Sequence, residues 1–344
     1  MHRSDAEVRA LLALWGLEGQ EITFIDSSHG EDDVRENYII DRRWVLRVHS
    51  ADVMSDARLA DLNRLIGRYR DFGLCAPLFL PLAGSRFLHP LPAGGSAYLS
   101  EYLDMQPADQ AGLTDPQWRA LDARIVEMTA RFAARYRGVD LSDTYGMYSL
   151  FDLCPYDRAA GMDEKQENCN GLAAALTEAG EGALAREMTG LNDKLRRRLL
   201  DLYPRLPKCV FQGDENGSNL CLDGAGNIRG IFDFNMAGTD VCVNYLANHA
   251  PYLYDPDLEQ LIAQDGEALF AGLVEAARAG TRIIRAHYPM TGEEEQAYPL
   301  YMAIVALFQW PLRCDYEKGI KHPDARAHTL GLLRRIMEAA GRLA

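Results

Sequence analysis

Three side chains in one stretch could do chemistry together. The run Val210-Phe211-Gln212-Gly213-Asp214-Glu215-Asn216-Gly217-Ser218-Asn219-Leu220-Cys221-Leu222 is followed by Ile228-Arg229-Gly230-Ile231-Phe232-Asp233-Phe234-Asn235. An apolar strand enters a polar loop and a short hairpin follows, with Asp223-Gly224-Ala225-Gly226-Asn227 supplying its turn. Asp214 lies early in the loop, Asn219 where the first hairpin strand begins, and Asp233 where the returning strand ends. A hairpin brings its outer ends together, so Asn219 and Asp233 are expected to be neighbours. Two carboxylates and a carboxamide offer hard oxygens of the kind Mg²⁺ takes, a few from protein and the rest from water and phosphate. An ordinary hairpin with polar rims accounts for Gly224 and Asn227, but not for that convergence.

The elements that must position these groups follow from spacing. Val8, Leu11, Leu12, Leu14 and Trp15 fall at helical intervals within 6–15. Strands are expected over 21–25, 37–40 and 44–48, the last two joined by a turn at Asp41-Arg42-Arg43. Leu59, Leu62, Leu65, Ile66 and Tyr69 mark a helix over 55–72, which Gly73 ends. Residues 97–103 read as a strand, and from Pro116 onward helices dominate. Tyr298, Tyr301, Phe308 and Trp310 make an aromatic run that reads as core before it reads as a cation-binding wall. The near-fingerprint Gly224 to Gly230 sits in a hairpin turn and not at a helix start, so it carries no dinucleotide site.

The stretch 209–248 resembles the catalytic core of the aminoglycoside phosphotransferase and choline kinase-like family, relatives of the protein kinases. The match falls on Gly213, Asp214, Asn219, Asp233 and Phe234. Gln212 stands where that family has histidine, and Asn235 where it has glycine. The resemblance implies that Asp214 is the catalytic residue, orienting or deprotonating an acceptor hydroxyl, and that Asn219 and Asp233 hold Mg²⁺ on the phosphates of ATP. It implies that Gln212 braces the loop by hydrogen bonds. Arg47 falls where the family places a cation against the nucleotide phosphates, and arginine can fill that place bidentately. Ser28 belongs to the loop 27–36 expected to cover those phosphates. The adenine is expected against backbone groups near Glu101 and Leu103. The helix over 55–72 has no glutamate to pair with the cation, leaving Asp61 or Asp56 as the substitute. Asp240 aligns with a family aspartate, with Asn244 four residues on in place of a second one.

The fold so implied is α+β and bilobal, protein kinase-like. A small antiparallel β N-lobe that binds nucleotide occupies 1–104. A larger, mainly helical C-lobe with the catalytic hairpin and acceptor-binding helices occupies 105–344. The activity implied is ATP-dependent transfer of the γ-phosphate to a hydroxyl of a small molecule: an aminoglycoside, choline, homoserine or a sugar. The alternative is a nucleotide-binding pseudokinase with a regulatory role, which Gln212, Asn235 and the missing glutamate favour. The absent glycine-rich loop argues against a protein kinase.

Composition agrees. The 344 residues suffice for two lobes with a sizeable core, and 48% hydrophobic with 25% charged residues is ordinary for a soluble protein. A net charge of −14 argues against a nucleic-acid partner. It suits a cationic small molecule and equally serves solubility. Seven cysteines without Cys-x-x-Cys spacing fit free thiols in a reducing cytoplasm. The charged, helix-like N-terminal segment is no signal peptide, and no apolar run approaches the ~20 residues of a membrane span.

Overall fold

A computed structural model of the chain describes residues 3–18, 21–28, 34–50, 54–82, 86–92, 94–139, 144–154, 161–250 and 256–344. In chain order the described elements begin α1 (Asp5–Ala13), β1 (Ile22–Asp26), β2 (Arg35–Ile40), β3 (Trp44–His49), α2 (Asp56–Asp71), β4 (Phe79–Leu80), β5 (His89–Pro90) and β6 (Ser96–Glu101). Three helices follow, α3 (Asp115–Tyr136), α4 (Glu164–Glu178) and α5 (Gly182–Leu202), then the strands β7 (Lys208–Phe211), β8 (Leu220–Leu222), β9 (Ile228–Ile231) and β10 (Gly238–Val241). The chain continues as α6 (Cys242–His249), α7 (Leu258–Ala263), α8 (Gly266–His287), α9 (Gly292–Phe308), α10 (Trp310–Lys321) and α11 (Pro323–Gly341). The architecture is α+β, with an antiparallel sheet in the N-terminal region and helices in the C-terminal region.

Packing divides the chain into two compact units: Met1–Leu113 with Asp214–Asn235, and Thr114–Gly213 with Met236–Ala344. In the first, the sheet runs β1-β2-β3-β6-β4, with β5 also on β6. Strand alternation puts Leu46, Val48, Ala97 and Leu99 on one face, where Val8 and Leu12 of α1 pack against them. A capping box between Ser4 and Glu7 fixes the start of α1. The other face carries Val45 and Arg47, directly across from Ser100 and Tyr98. The hairpin β8–β9 belongs to this unit, although helices flank it in sequence. Its backbone explains why: Cys75 N–H donates to the Arg229 carbonyl (2.8 Å), Ile231 N–H donates to the Cys75 carbonyl (2.9 Å), and Pro107 bridges Cys221.

In the second unit β7 and β10 pair antiparallel, Phe211 opposite Gly238. Gly238 is needed there, because a Cβ would come within 2.3 Å of the Tyr145 carbonyl carbon. Helices α4 and α5 pack on each other, and α8 packs on α3 and α11. Of the aromatic run, Tyr298, Tyr301 and Phe308 are core residues of α9, while Trp310 is 55% exposed.

Leu12 is fully buried in the core of the first unit. Leu12→Ala is expected to cost about 2–5 kcal/mol, since the cavity adds to the lost transfer energy. Urea unfolding followed by tryptophan fluorescence checks this, because Trp15 and Trp44 pack on the same cluster.

Candidate active site

The loop that carries Asp214 leaves β7 through Gln212 and Gly213. Gln212 is fully buried. Gly213 has φ +94°, and a Cβ there would lie 2.1 Å from the Met236 carbonyl oxygen, so only glycine fits. Its N–H donates to the Tyr245 hydroxyl (3.1 Å), and the Tyr245 ring stacks on Phe211 at 3.9 Å between centroids. Strand, glycine and α6 are thereby locked together within the helical unit.

Asp214 follows, held at both carboxylate oxygens. Asn216 Nδ2 donates to Oδ1 (2.7 Å). Asn219 Nδ2 donates to Oδ2 and to the Asp214 carbonyl, both at 2.9 Å. Burial pushes the Asp214 carboxyl above its ordinary range; the bond from Asn216 opposes this, and the charge of nearby Asp233 pushes it up further. The expected neighbourhood of Asn219 and Asp233 is present: Phe232 N–H donates to the Asn219 carbonyl (3.0 Å). Asp233 has φ +57°, a left-handed conformation unusual for a residue other than glycine. Its Oδ1 accepts from Asn235 N–H (3.3 Å).

Helix α2 secures this motif with Tyr69, from its apolar stripe, and with Arg58, which the sequence pattern did not single out. Phe234 meets the Tyr69 ring edge to face at 5.7 Å, and the Tyr69 hydroxyl donates to Glu215 (3.1 Å). Arg58 is buried, and its Nη2 donates to the Asn235 carbonyl (2.5 Å). The available signal was its place in the first turn beside the apolar stripe, which a solvated charge explains equally well in sequence.

A second group of polar atoms lies on the sheet. Asn37, Arg47 and Tyr98 are direct cross-strand partners, and Ser100 lies across from Val45, so all share one face. Asn37 Oδ1, Arg47 Nε and Ser100 Oγ are buried without a hydrogen-bond partner among the described residues. Such atoms cost about 1–3 kcal/mol each if left unpaired, so this face is suited to a polar ligand.

The remaining expected residues are engaged within the chain. Asp61 pairs with Arg64 on α2, and no ion pair joins Asp61 to Arg47 among the described residues. Asp56 caps the backbone of Phe87 and Leu88. The Glu101 carboxylate pairs with Arg70 and accepts from Leu78 N–H (2.9 Å), and the Glu101 N–H donates to the Leu78 carbonyl (2.9 Å). The Leu103 carbonyl accepts from Met105 N–H (2.9 Å). Ser28 Oγ accepts from Arg35 N–H (2.9 Å), and 29–33 of its loop lie outside the described residues.

In the helical unit, Asp240 is buried on β10. It accepts from Asn244 Nδ2 at 3.0 and 2.9 Å and from Val241 N–H at 2.7 Å. Asn244 Nδ2 also donates to the Tyr148 carbonyl (2.6 Å), so it supports the backbone there. Burial pushes the Asp240 carboxyl up to about 7.

A family model described as the phosphotransferase enzyme family matches residues 31–283. Among solved structures, a microcompartment-associated aminopropanol kinase is similar at 14% identity, covering 98% of this chain and 97% of that one, with a TM-score of 0.53. The amicoumacin kinase hAmiN, in complex with AMP-PNP, Ca²⁺ and Ami, is similar at 14% identity over 99% of this chain and 94% of that one, with a TM-score of 0.52. The curated proteins contain no match. No helix among the described residues is long and apolar enough to cross a membrane.

Asp240 provides a pH test of the buried network. Its folded value of about 7 lies above the reference 3.8, so the folded chain holds this proton more tightly than the unfolded chain. Its contribution to stability is therefore complete below about pH 4 and is lost as the pH rises to about 7 and beyond. Asp240→Asn has no carboxyl to ionise. The thermal midpoint of the variant minus that of the parent should climb between about pH 4 and 8. A difference that stays level across that range would show that Asp240 ionises without cost.

Proposed function

The chain belongs to the phosphotransferase enzyme family, and from that premise we propose that it moves the γ-phosphate of ATP to a hydroxyl of a small molecule. The observation that carries this reading is the convergence of Asp214, Asn219 and Asp233 through one loop and one hairpin. Asp214 orients the acceptor hydroxyl and takes its proton. Its raised carboxyl, held at both oxygens, is a better base than an exposed aspartate. Arg47 steadies the nucleotide phosphates, with its Nε as a buried donor not already used. Residues 1–104 supply the nucleotide side, with Ser28 over the phosphates and backbone near Glu101 and Leu103 for the base. Residues 105–344 supply the catalytic hairpin and the acceptor contacts.

The donor set fits Mg²⁺. Asn219 uses its Nδ2 on Asp214, which leaves Oδ1 as a ligand, and Asp233 offers a carboxylate. No cluster of three or more His, Cys, Asp or Glu is set to hold a metal among the described residues, so a cation here takes one or two protein oxygens with the rest from phosphate and water. When bound, Mg²⁺ neutralises charge on the phosphates. The protein's part is to fix positions and to keep Asp214 and Asp233 in place.

The second reading is a nucleotide-binding pseudokinase. It is favoured by the Asp61–Arg64 pair, which leaves Arg47 without a carboxylate partner among the described residues. One set of measurements separates the two. Mg-ATP should raise the thermal midpoint, and the rise should shrink in Asp233→Asn. ADP release is then scored against aminopropanol, aminoglycosides, choline, homoserine and sugars. With an acceptor in hand, Asp214→Asn should lower turnover by ~10²-fold or more while nucleotide still binds. Near-normal turnover in that variant removes Asp214 from the catalytic role. ATP binding without turnover on any acceptor establishes the pseudokinase.

A further inference from the structure

The chain carries a net charge of −14, yet one flank of α8 reverses that sign. Arg278, Arg282 and Arg285 recur at i, i+4 and i+7, which places them on one face of the helix. All three border a cavity of about 510 Å³ in the helical unit, between α8, α9 and α11. Its volume is in the range of small-molecule sites. Its walls are aliphatic, with Leu273, Val274, Met302 and Ile336 among them, and no acidic residue lines it.

The polar atoms of the wall are satisfied from within. The hydroxyls of Thr281 and Tyr298 bond each other at 3.0 Å, and Thr281 Oγ1 also donates to the Ala277 carbonyl (2.7 Å). Nothing on the wall therefore requires a polar ligand, and the rim supplies the only charge. Arg285 is paired with Glu295 (2.5 Å) and Arg282 reaches Glu275 at 3.5 Å, both exposed pairs of little strength. Arg278 has no ion pair or hydrogen bond among the described residues. A hydrocarbon-lined cavity with an unengaged guanidinium at its mouth matches one ligand chemistry: an apolar chain ending in an anion.

We propose that this cavity binds a single-chain amphipathic anion, with its hydrocarbon chain against the aliphatic walls and its carboxylate on Arg278 and Arg282. The assignment does not depend on phosphotransfer. A neutral apolar ligand would leave the arginine stripe without a role, and a free inorganic anion would leave the cavity unfilled. The same chemistry could be presented by a free fatty-acyl anion or by an anionic lipid in a bilayer. The cavity's volume, on the scale of one small molecule, favours the free anion.

Calorimetric titration of the full chain with laurate, kept below its micelle concentration, tests the assignment. Laurate should bind at one site, and dodecyltrimethylammonium, with the same chain and the opposite head, should bind at least about tenfold more weakly. Arg278→Ser combined with Arg282→Ser should weaken laurate by about tenfold. Ala306→Phe, which fills the cavity, should abolish binding while a thermal scan shows a folded protein. Should Ala306→Phe not fold, the two ligands and the arginine variant still decide. Equal binding of the two head groups overturns the proposal, as does laurate binding unchanged in a folded Ala306→Phe. Sedimentation with phosphatidylglycerol vesicles without any response to monomeric laurate overturns it in favour of a bilayer surface.

Discussion

One carboxamide holds the polar residues of the loop and hairpin in register. Asn219 Nδ2 reaches both the carbonyl and the carboxylate of Asp214, five residues back, and closes the loop between them. The carbonyl of the same residue receives Phe232 N–H, so the hairpin pairing sets where Asp233 begins. The positions of three functional groups therefore reduce to one side chain and one strand register. Bonds to charged groups contribute about 1.5–3 kcal/mol each, so the Asn219–Asp214 link is among the stronger local terms. The cost falls on the Asp214 carboxyl, which burial and then the charge of Asp233 push above its ordinary range.

That arrangement stores strain, and the strain is local. Three described residues other than glycine have positive φ: Asp41, Arg42 and Asp233. The first two form the tight turn between β2 and β3, where such angles match the twist of the strands. No turn of that kind explains Asp233. A left-handed residue of this type costs about 1–3 kcal/mol and persists only when its surroundings over-determine it. Here the surroundings are Tyr69 against Phe234 and Arg58 on the Asn235 carbonyl, both from α2. Asn37 Oδ1, Arg47 Nε and Ser100 Oγ, buried without a hydrogen-bond partner among the described residues, belong to the same unit.

The hairpin was legible in sequence because its turn chemistry is local. Asp223 Oδ1 accepts from the N–H groups of Ala225 and Asn227, which is what an aspartate at that place offers. The helices were legible from apolar spacing, as in α2, where Leu59, Leu62, Leu65, Ile66 and Tyr69 are all buried. The pairing of β7 with β10 was not. It joins segments far apart in sequence and depends on Gly238 admitting the backbone of Tyr145, a long-range fit that no window of residues reveals. Arg58 was missed for a related reason. A cation in the first turn of an amphipathic helix reads as solvated until a carbonyl from residue 235 is placed against it. Asp61 shows the opposite limit, since its nearest cation, Arg64, was visible all along at helical spacing.

Gln212 is the clearest departure from the family pattern, and its environment shows why it is tolerated. The side chain is fully buried, next to a glycine fixed by Tyr245. Burial disfavours the charged form of histidine. His249, buried in the same unit and beside the same Tyr245 ring, illustrates the size of that effect, with its imidazole pulled down to about 3. Burial acts in the same direction on a histidine at position 212, favouring its neutral form. Neutral histidine offers one donor and one acceptor, and glutamine offers both kinds of group as well. The exchange therefore changes neither the charge of the loop nor the kinds of hydrogen bond available to it. A residue that braces the loop can be replaced in this way, whereas a residue that had to gain and lose a proton during turnover could not.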